Sequence, residues 1–91
     1  MTTKHFDGHK QAAAKINYYD DGSVELVSYA TTVITIDSCG WLHVNGLYSR
    51  TTIKHIGWFM RMYGFSYQTA KGLLLDNRDM NIYTGEVREW E

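Results

Sequence analysis

A change of period along the chain constrains the fold more than any other feature. Over residues 15–45 apolar and polar residues alternate around two glycine turns, and beyond Tyr48 apolar residues recur every three or four positions. Alternation puts one set of side chains on one face of a strand, whereas the longer period lines them along one side of a helix. Ile16-Asn17-Tyr18-Tyr19 runs into Asp20-Asp21-Gly22, and Ser23-Val24-Glu25-Leu26-Val27-Ser28-Tyr29 follows. Asp-Gly between two such stretches signals a hairpin, because glycine supplies the positive φ that a tight turn demands. Thr31-Thr32-Val33-Ile34-Thr35-Ile36-Asp37 is rich in β-branched residues, which fit a pleated surface. Ser38-Cys39-Gly40 reads as a second turn, and Trp41-Leu42-His43-Val44-Asn45 as a further strand closed by Gly46. The expectation is an antiparallel meander of three or four strands over residues 15–46.

The helical half follows over residues 49–76. Ser49 or Thr51 is placed to cap the first helix, a hydroxyl accepting from backbone N–H groups left free at its start. Ile53, Ile56, Phe59, Met60 and Tyr63 fall within about 120° of one another on a helical wheel, the stripe that a helix lays on a sheet. Gly64 stands where a left-handed residue ends a helix. Ser66 begins a shorter second helix over 67–75, with Tyr67, Ala70, Leu73 and Leu74 inward. Asp76-Asn77-Arg78-Asp79 reads as a turn and Met80-Asn81-Ile82-Tyr83-Thr84 as a last strand, followed by a tail. Residues 1–14 have no clean period and read as a loose N-terminal arm. The fold class expected is α+β in one domain of 91 residues: a three- to four-stranded meander packed on one principal helix, with a short second helix and a terminal strand.

Composition excludes several function classes. The longest apolar run, Leu73-Leu74-Leu75, is far below the about 20 residues of a membrane-spanning helix. The first residues, Met1-Thr2-Thr3-Lys4-His5-Phe6-Asp7, hold no apolar segment of a secretory signal. One cysteine, Cys39, permits no internal disulfide and suits a reducing cytoplasm.

Catalytic constellations are equally scarce. There is no glycine-rich phosphate loop, CxxC, HExxH or GxSxG. His5 and His9 are four apart, but two imidazoles without further ligands make no four-coordinate metal site. A hairpin allows Cys39 and His43 to face each other as a thiolate–imidazole pair, although no third, orienting group is visible. His55 reads as a residue of the helix flank. The expectation is a protein that is no enzyme and has neither a catalytic residue, a cofactor nor a metal.

What remains is binding. Net charge is −1 overall, yet residues 38–75 hold Arg50, Lys54, Arg61 and Lys71 and no acid, while the segments on either side are acidic. Opposite the buried stripe of the first helix, Lys54, Trp58 and Arg61 lie within about 60° of one another, with Arg50 just ahead and Met62 beside Trp58. Such a face suits phosphates through its cations and exposed bases or a protein pocket through its tryptophan. The plain alternative packs Trp58 and Met62 under the C-terminal segment, against Val87 or Trp90, as a second small core.

Three stretches carry a resemblance: Ser28-Tyr29-Ala30-Thr31-Thr32-Val33, Gly40-Trp41-Leu42-His43-Val44-Asn45-Gly46-Leu47-Tyr48-Ser49, and Thr51-Thr52-Ile53-Lys54-His55-Ile56. They resemble small bacteriophage-encoded proteins of unknown function with the pattern SYxTxV … GxLxVxGxYSxTTxKHI. The resemblance covers roughly residues 26–64 and carries over no functional residue. It implies a non-enzymatic phage accessory protein that binds a host protein or a protein–nucleic-acid complex, as an inhibitor of host defence in the manner of anti-CRISPR proteins. One alternative is direct binding of DNA or RNA by the basic, aromatic helix face. Another is a structural protein that self-associates into homo-oligomers through strand edges. No membrane partner is expected.

Overall fold

The computed structural model describes residues 1–5 and 13–90, and its core is a single sheet. Seven strands lie side by side in chain order and every neighbouring pair is antiparallel: β1 (Thr2–Lys4), β2 (Ala14–Tyr18), β3 (Val24–Ser28), β4 (Thr31–Ile36), β5 (Trp41–Val44), β6 (Arg78–Asn81) and β7 (Val87–Glu89). Two helices, α1 (Arg50–Met62) and α2 (Tyr67–Asp76), interrupt the order between β5 and β6. The class remains a mixed α+β one, but the expected meander of three or four strands is corrected to seven. The four central strands are those that alternation marks. The three others are short strands at or near the sheet's edges. Thr2-Thr3-Lys4 is fully exposed and offers no apolar alternation, yet it pairs with β2 through Thr3↔Asn17 and so turns part of the expected loose arm into a strand. Arg78 and Asp79, which read as turn residues, open β6. The single terminal strand expected over 80–84 is instead the pair β6 and β7, with a turn between them. His9 of the His5–His9 pair lies outside the described residues, and His5 Nδ1 lies 3.3 Å from the carbonyl of Ala14.

Register explains the division of the sheet's two faces. Ile16↔Leu26, Leu26↔Ile34, Ile34↔Val44, Ile36↔Leu42 and Leu42↔Met80 form rows of apolar pairs on one face. Both helices cover that face, where Ile56, Phe59, Met60 and Ala70 are fully buried against it. Burial of this kind contributes roughly 1.5–3 kcal/mol for each large side chain. Between Leu26 and Val27 the register slips, leaving Val33 as the extra residue of a bulge, and Val33 and Ile34 are both fully buried. The second face carries Asn17, Glu25, Thr35, His43 and Trp41, the residues that alternate with the apolar ones.

The turns follow the sequence closely. Gly22 closes the first hairpin at φ +91°. Gly40 closes the second at φ +94°, where any Cβ would run into the ring of Tyr83. Tyr63 caps α1, and Gly64 follows at φ +83° with its N–H on the carbonyl of Arg61, as expected for a helix end.

Candidate functional site

The start of α1 is held by a chain of hydroxyls. Ser49 is the N-cap, with extended backbone, and its Oγ accepts from the N–H of Thr52 at 3.2 Å. Thr52 Oγ1 lies 3.2 Å from Ser49 Oγ and 3.1 Å from Ser28 Oγ at the end of β3. Ser28 Oγ in turn lies 2.8 Å from Nδ1 of His55. Ser28, Thr52 and His55 are all buried, so the network ties the sheet to the first two turns of the helix where water cannot compete. The expectation of His55 on the flank is corrected: the ring faces inward, 5.3 Å from the Trp58 ring and 6.2 Å from that of Tyr29. Tyr29 and Tyr48, both exposed, sit at φ +56°, a conformation that costs a non-glycine residue about 1 kcal/mol or more. The Tyr48 ring lies against Gly46, 2.9 Å from where a Cβ would stand.

This frame fixes the outward face of α1. Arg50, Lys54, Arg61 and Met62 are exposed, and Trp58 is half-buried at the margin of the core. Lys54 Nζ stands 5.1 Å from the centroid of the Trp58 ring, a cation–π contact. The Arg61 guanidinium reaches back over Gly57, which is buried without a side chain of its own. No acidic residue occurs in α1, and Arg61 in its last turn suits the negative end of the helix dipole. Trp58 packs beside His55 rather than under the C-terminal segment, and Met62 is 51% exposed. Trp90 lies elsewhere, on the sheet's other face.

That other face holds a cluster that sequence reasoning did not assemble. Trp41 and His43 of β5, Asp79 of β6, and Arg88 and Trp90 in and after β7 converge there. His43 does not pair with Cys39, which sits exposed in its turn with its N–H on Asp37. Instead, Asp79 Oδ1 accepts from His43 Nδ1 at 2.7 Å and from Trp90 Nε1 at 2.8 Å. The imidazole lies 4.8 Å from the Trp90 ring. The Arg88 guanidinium lies 4.1 Å from the Trp41 centroid and 3.7 Å from Asp79 Oδ2.

Two strands away Glu25 accepts from the Tyr19 hydroxyl and from Asn17 Nδ2 at 2.8 Å. These donors hold its carboxyl below the usual glutamate range, the Tyr19 hydroxyl most strongly, while the same contact raises Tyr19. Alternation assigns His43 and Glu25 to this face. Asp79, Arg88 and Trp90 join them only through the pairing of β5 with β6, which nothing local announces.

Residues 1–74 match a family of unknown function (DUF8033), and the chain belongs to that family. The matched span extends at both ends past the pattern over residues 26–64. It includes all of α1, Trp41, His43 and Glu25, whereas Asp79, Arg88 and Trp90 lie beyond it. Neither the curated proteins nor the solved structures gave a match. No helix among the described residues is long and apolar enough to cross a membrane.

Proposed function

We propose that this is a non-enzymatic accessory binding protein that docks on an acidic surface of a host protein through the outward face of α1. The observation that carries this reading is the charge of that face: Arg50, Lys54 and Arg61 are exposed on a helix with no acidic residue. A basic face of this kind steers encounter with an anionic partner. Met62 and the exposed part of Trp58 supply the apolar contact on which such interfaces concentrate their affinity. The bacteriophage setting, and the role of inhibitor of a host defence system, rest on the resemblance of the SYxTxV and YSxTTxKHI segments.

Direct nucleic-acid binding by the same cations is the second reading. The neighbours of Trp58 weigh against it: Lys54 stands over the indole and His55 packs beside it, so the ring is no open platform for a base.

The test has two arms. Immobilised protein and a Lys54→Glu/Arg61→Glu variant are exposed to bacterial lysate, and retained proteins are identified. Labelled DNA and RNA are titrated in parallel at low and moderate salt. Retention of an acidic protein by the wild type alone supports the proposal. Nucleic-acid binding that falls steeply with salt and vanishes in the variant makes the second reading correct instead. Unchanged retention by the variant overturns the assignment of the face.

A further inference from the structure

The sheet face away from the helices is a furrow rather than a flat surface. Two adjoining depressions, of about 480 and 320 Å³, share His43, Asp79 and Arg88 and run from Trp90 to Tyr19 and Glu25. Three carboxylates line them, Glu25, Asp37 and Asp79, against the guanidinium of Arg88, while Glu89 at the rim turns its carboxylate to Arg78, 3.8 Å away. Lys15 stands near Glu25 at the β2 side. The furrow is therefore acidic, and the oppositely charged α1 face lies on the other side of the sheet.

Arg88 shows what such a surface holds well. Its planar guanidinium stacks on Trp41 and lies 3.7 Å from Asp79 Oδ2, an aromatic face and a carboxylate supplied by two different strands. Arginine suits such a seat because its charge is delocalised, weakly hydrated and flat. Arg88 belongs to the three-residue strand β7, all of it exposed and hydrogen-bonded on one side only, so its hold on the seat is a light one.

From this geometry and charge we propose that the open face of the sheet docks an arginine-bearing extended segment of a protein partner, and that Arg88 occupies the seat an incoming guanidinium takes. His43, fixed by Asp79 through Nδ1 and clamped on Trp90, forms one wall of the furrow, and Glu25 marks its far end. The inference stands apart from the reading of α1, which lies across the sheet.

The test titrates isotope-labelled full-length protein with a peptide carrying arginine at alternate positions, and with its citrulline counterpart, equal in shape but uncharged. The indole N–H signals of Trp41 and Trp90 report on the furrow, and that of Trp58 on the other side of the molecule. The arginine peptide is expected to shift Trp41 and Trp90 and leave Trp58 in place, with binding that weakens as salt is added. Glu25→Gln should weaken it about fivefold. Arg88→Ala should tighten it, because the seat on Trp41 is then vacant, a gain that a purely structural role for Arg88 would not produce. Equal response to the citrulline peptide, a shift at Trp58 instead, or weaker binding by Arg88→Ala in a protein of unchanged fold would overturn the proposal.

Discussion

The two faces of the sheet are built from alternate residues of the same strands, yet they do different work. Toward the helices, Leu26, Ile34, Leu42 and Val44 are fully buried in apolar rows, and substitution there is felt throughout the core. Away from them, Glu25, Thr35, His43 and Trp41 are partly exposed and joined by hydrogen bonds and ring contacts. The first face holds the fold together, which leaves the second, and the outer side of α1, open to carry charge in patterns that stability does not dictate.

The sharpest way to break this contrast is Phe59→Ala. The ring is fully buried between α1 and the sheet, and its loss should cost about 3–5 kcal/mol in urea unfolding. A cost below about 1 kcal/mol would mean that the helix side is not the dominant core. Ser28→Ala comes next at about 1–3 kcal/mol, because it strips a partner from buried His55 and Thr52. Asp79→Asn keeps the shape but weakens the bonds to His43 and Trp90. It should cost about 1–2 kcal/mol and shift the Trp90 indole N–H while leaving Trp58 unmoved.

The two faces should also answer differently to pH. Burial, with smaller contributions from Tyr18 and Tyr83, pushes Tyr63 up to about 12. The folded state then holds its proton where the unfolded chain releases it, so stability should fall as pH rises from the ordinary tyrosine range toward 12. Tyr63→Phe should flatten that slope. Glu25 is lowered, chiefly by Tyr19, so its contribution is present above the ordinary glutamate value and is lost as pH falls through the folded one. Glu25→Gln should flatten this acid arm, and it should also remove the alkaline slope that Tyr19 adds while leaving that of Tyr63. The smallest effect is expected for Arg50→Ala/Lys54→Ala/Arg61→Ala: within about 0.5 kcal/mol per site in stability, since all three are exposed, while partner binding through α1 is lost.

Much of this contrast is legible in the amino-acid sequence. Alternation places β2 to β5, Asp21-Gly22 and Gly40 place their turns, and the stripe of Ile56, Phe59 and Met60 gives the inner side of α1. The exposed cations follow from the same wheel. His55 was misplaced because its helical position is marginal, and only the hydroxyls of Ser28 and Thr52, from two separate segments, make an inward imidazole satisfied. The edge strands β1 and β7 are hidden because they have no second neighbour to impose a period, and β6 is read two residues late because Arg78 and Asp79 look like turn residues. The furrow was invisible for a related reason: Asp79 reads as a turn aspartate until β6 is seen to lie beside β5.

That pairing also bears on how the chain assembles. Five of the six strand junctions join segments that follow one another directly, so they close as local hairpins or short connections with little loop entropy to overcome. The sixth, β5 with β6, must wait until residues 45–77 have formed both helices and returned to the sheet. The C-terminal hairpin is thus expected to dock after the central strands in refolding, an order that pulse-labelled amide exchange checks. Since Asp79, Arg88 and Trp90 travel with it, the furrow exists only in molecules in which β6 has docked on β5, whereas the basic side of α1 needs only the helix and the central strands.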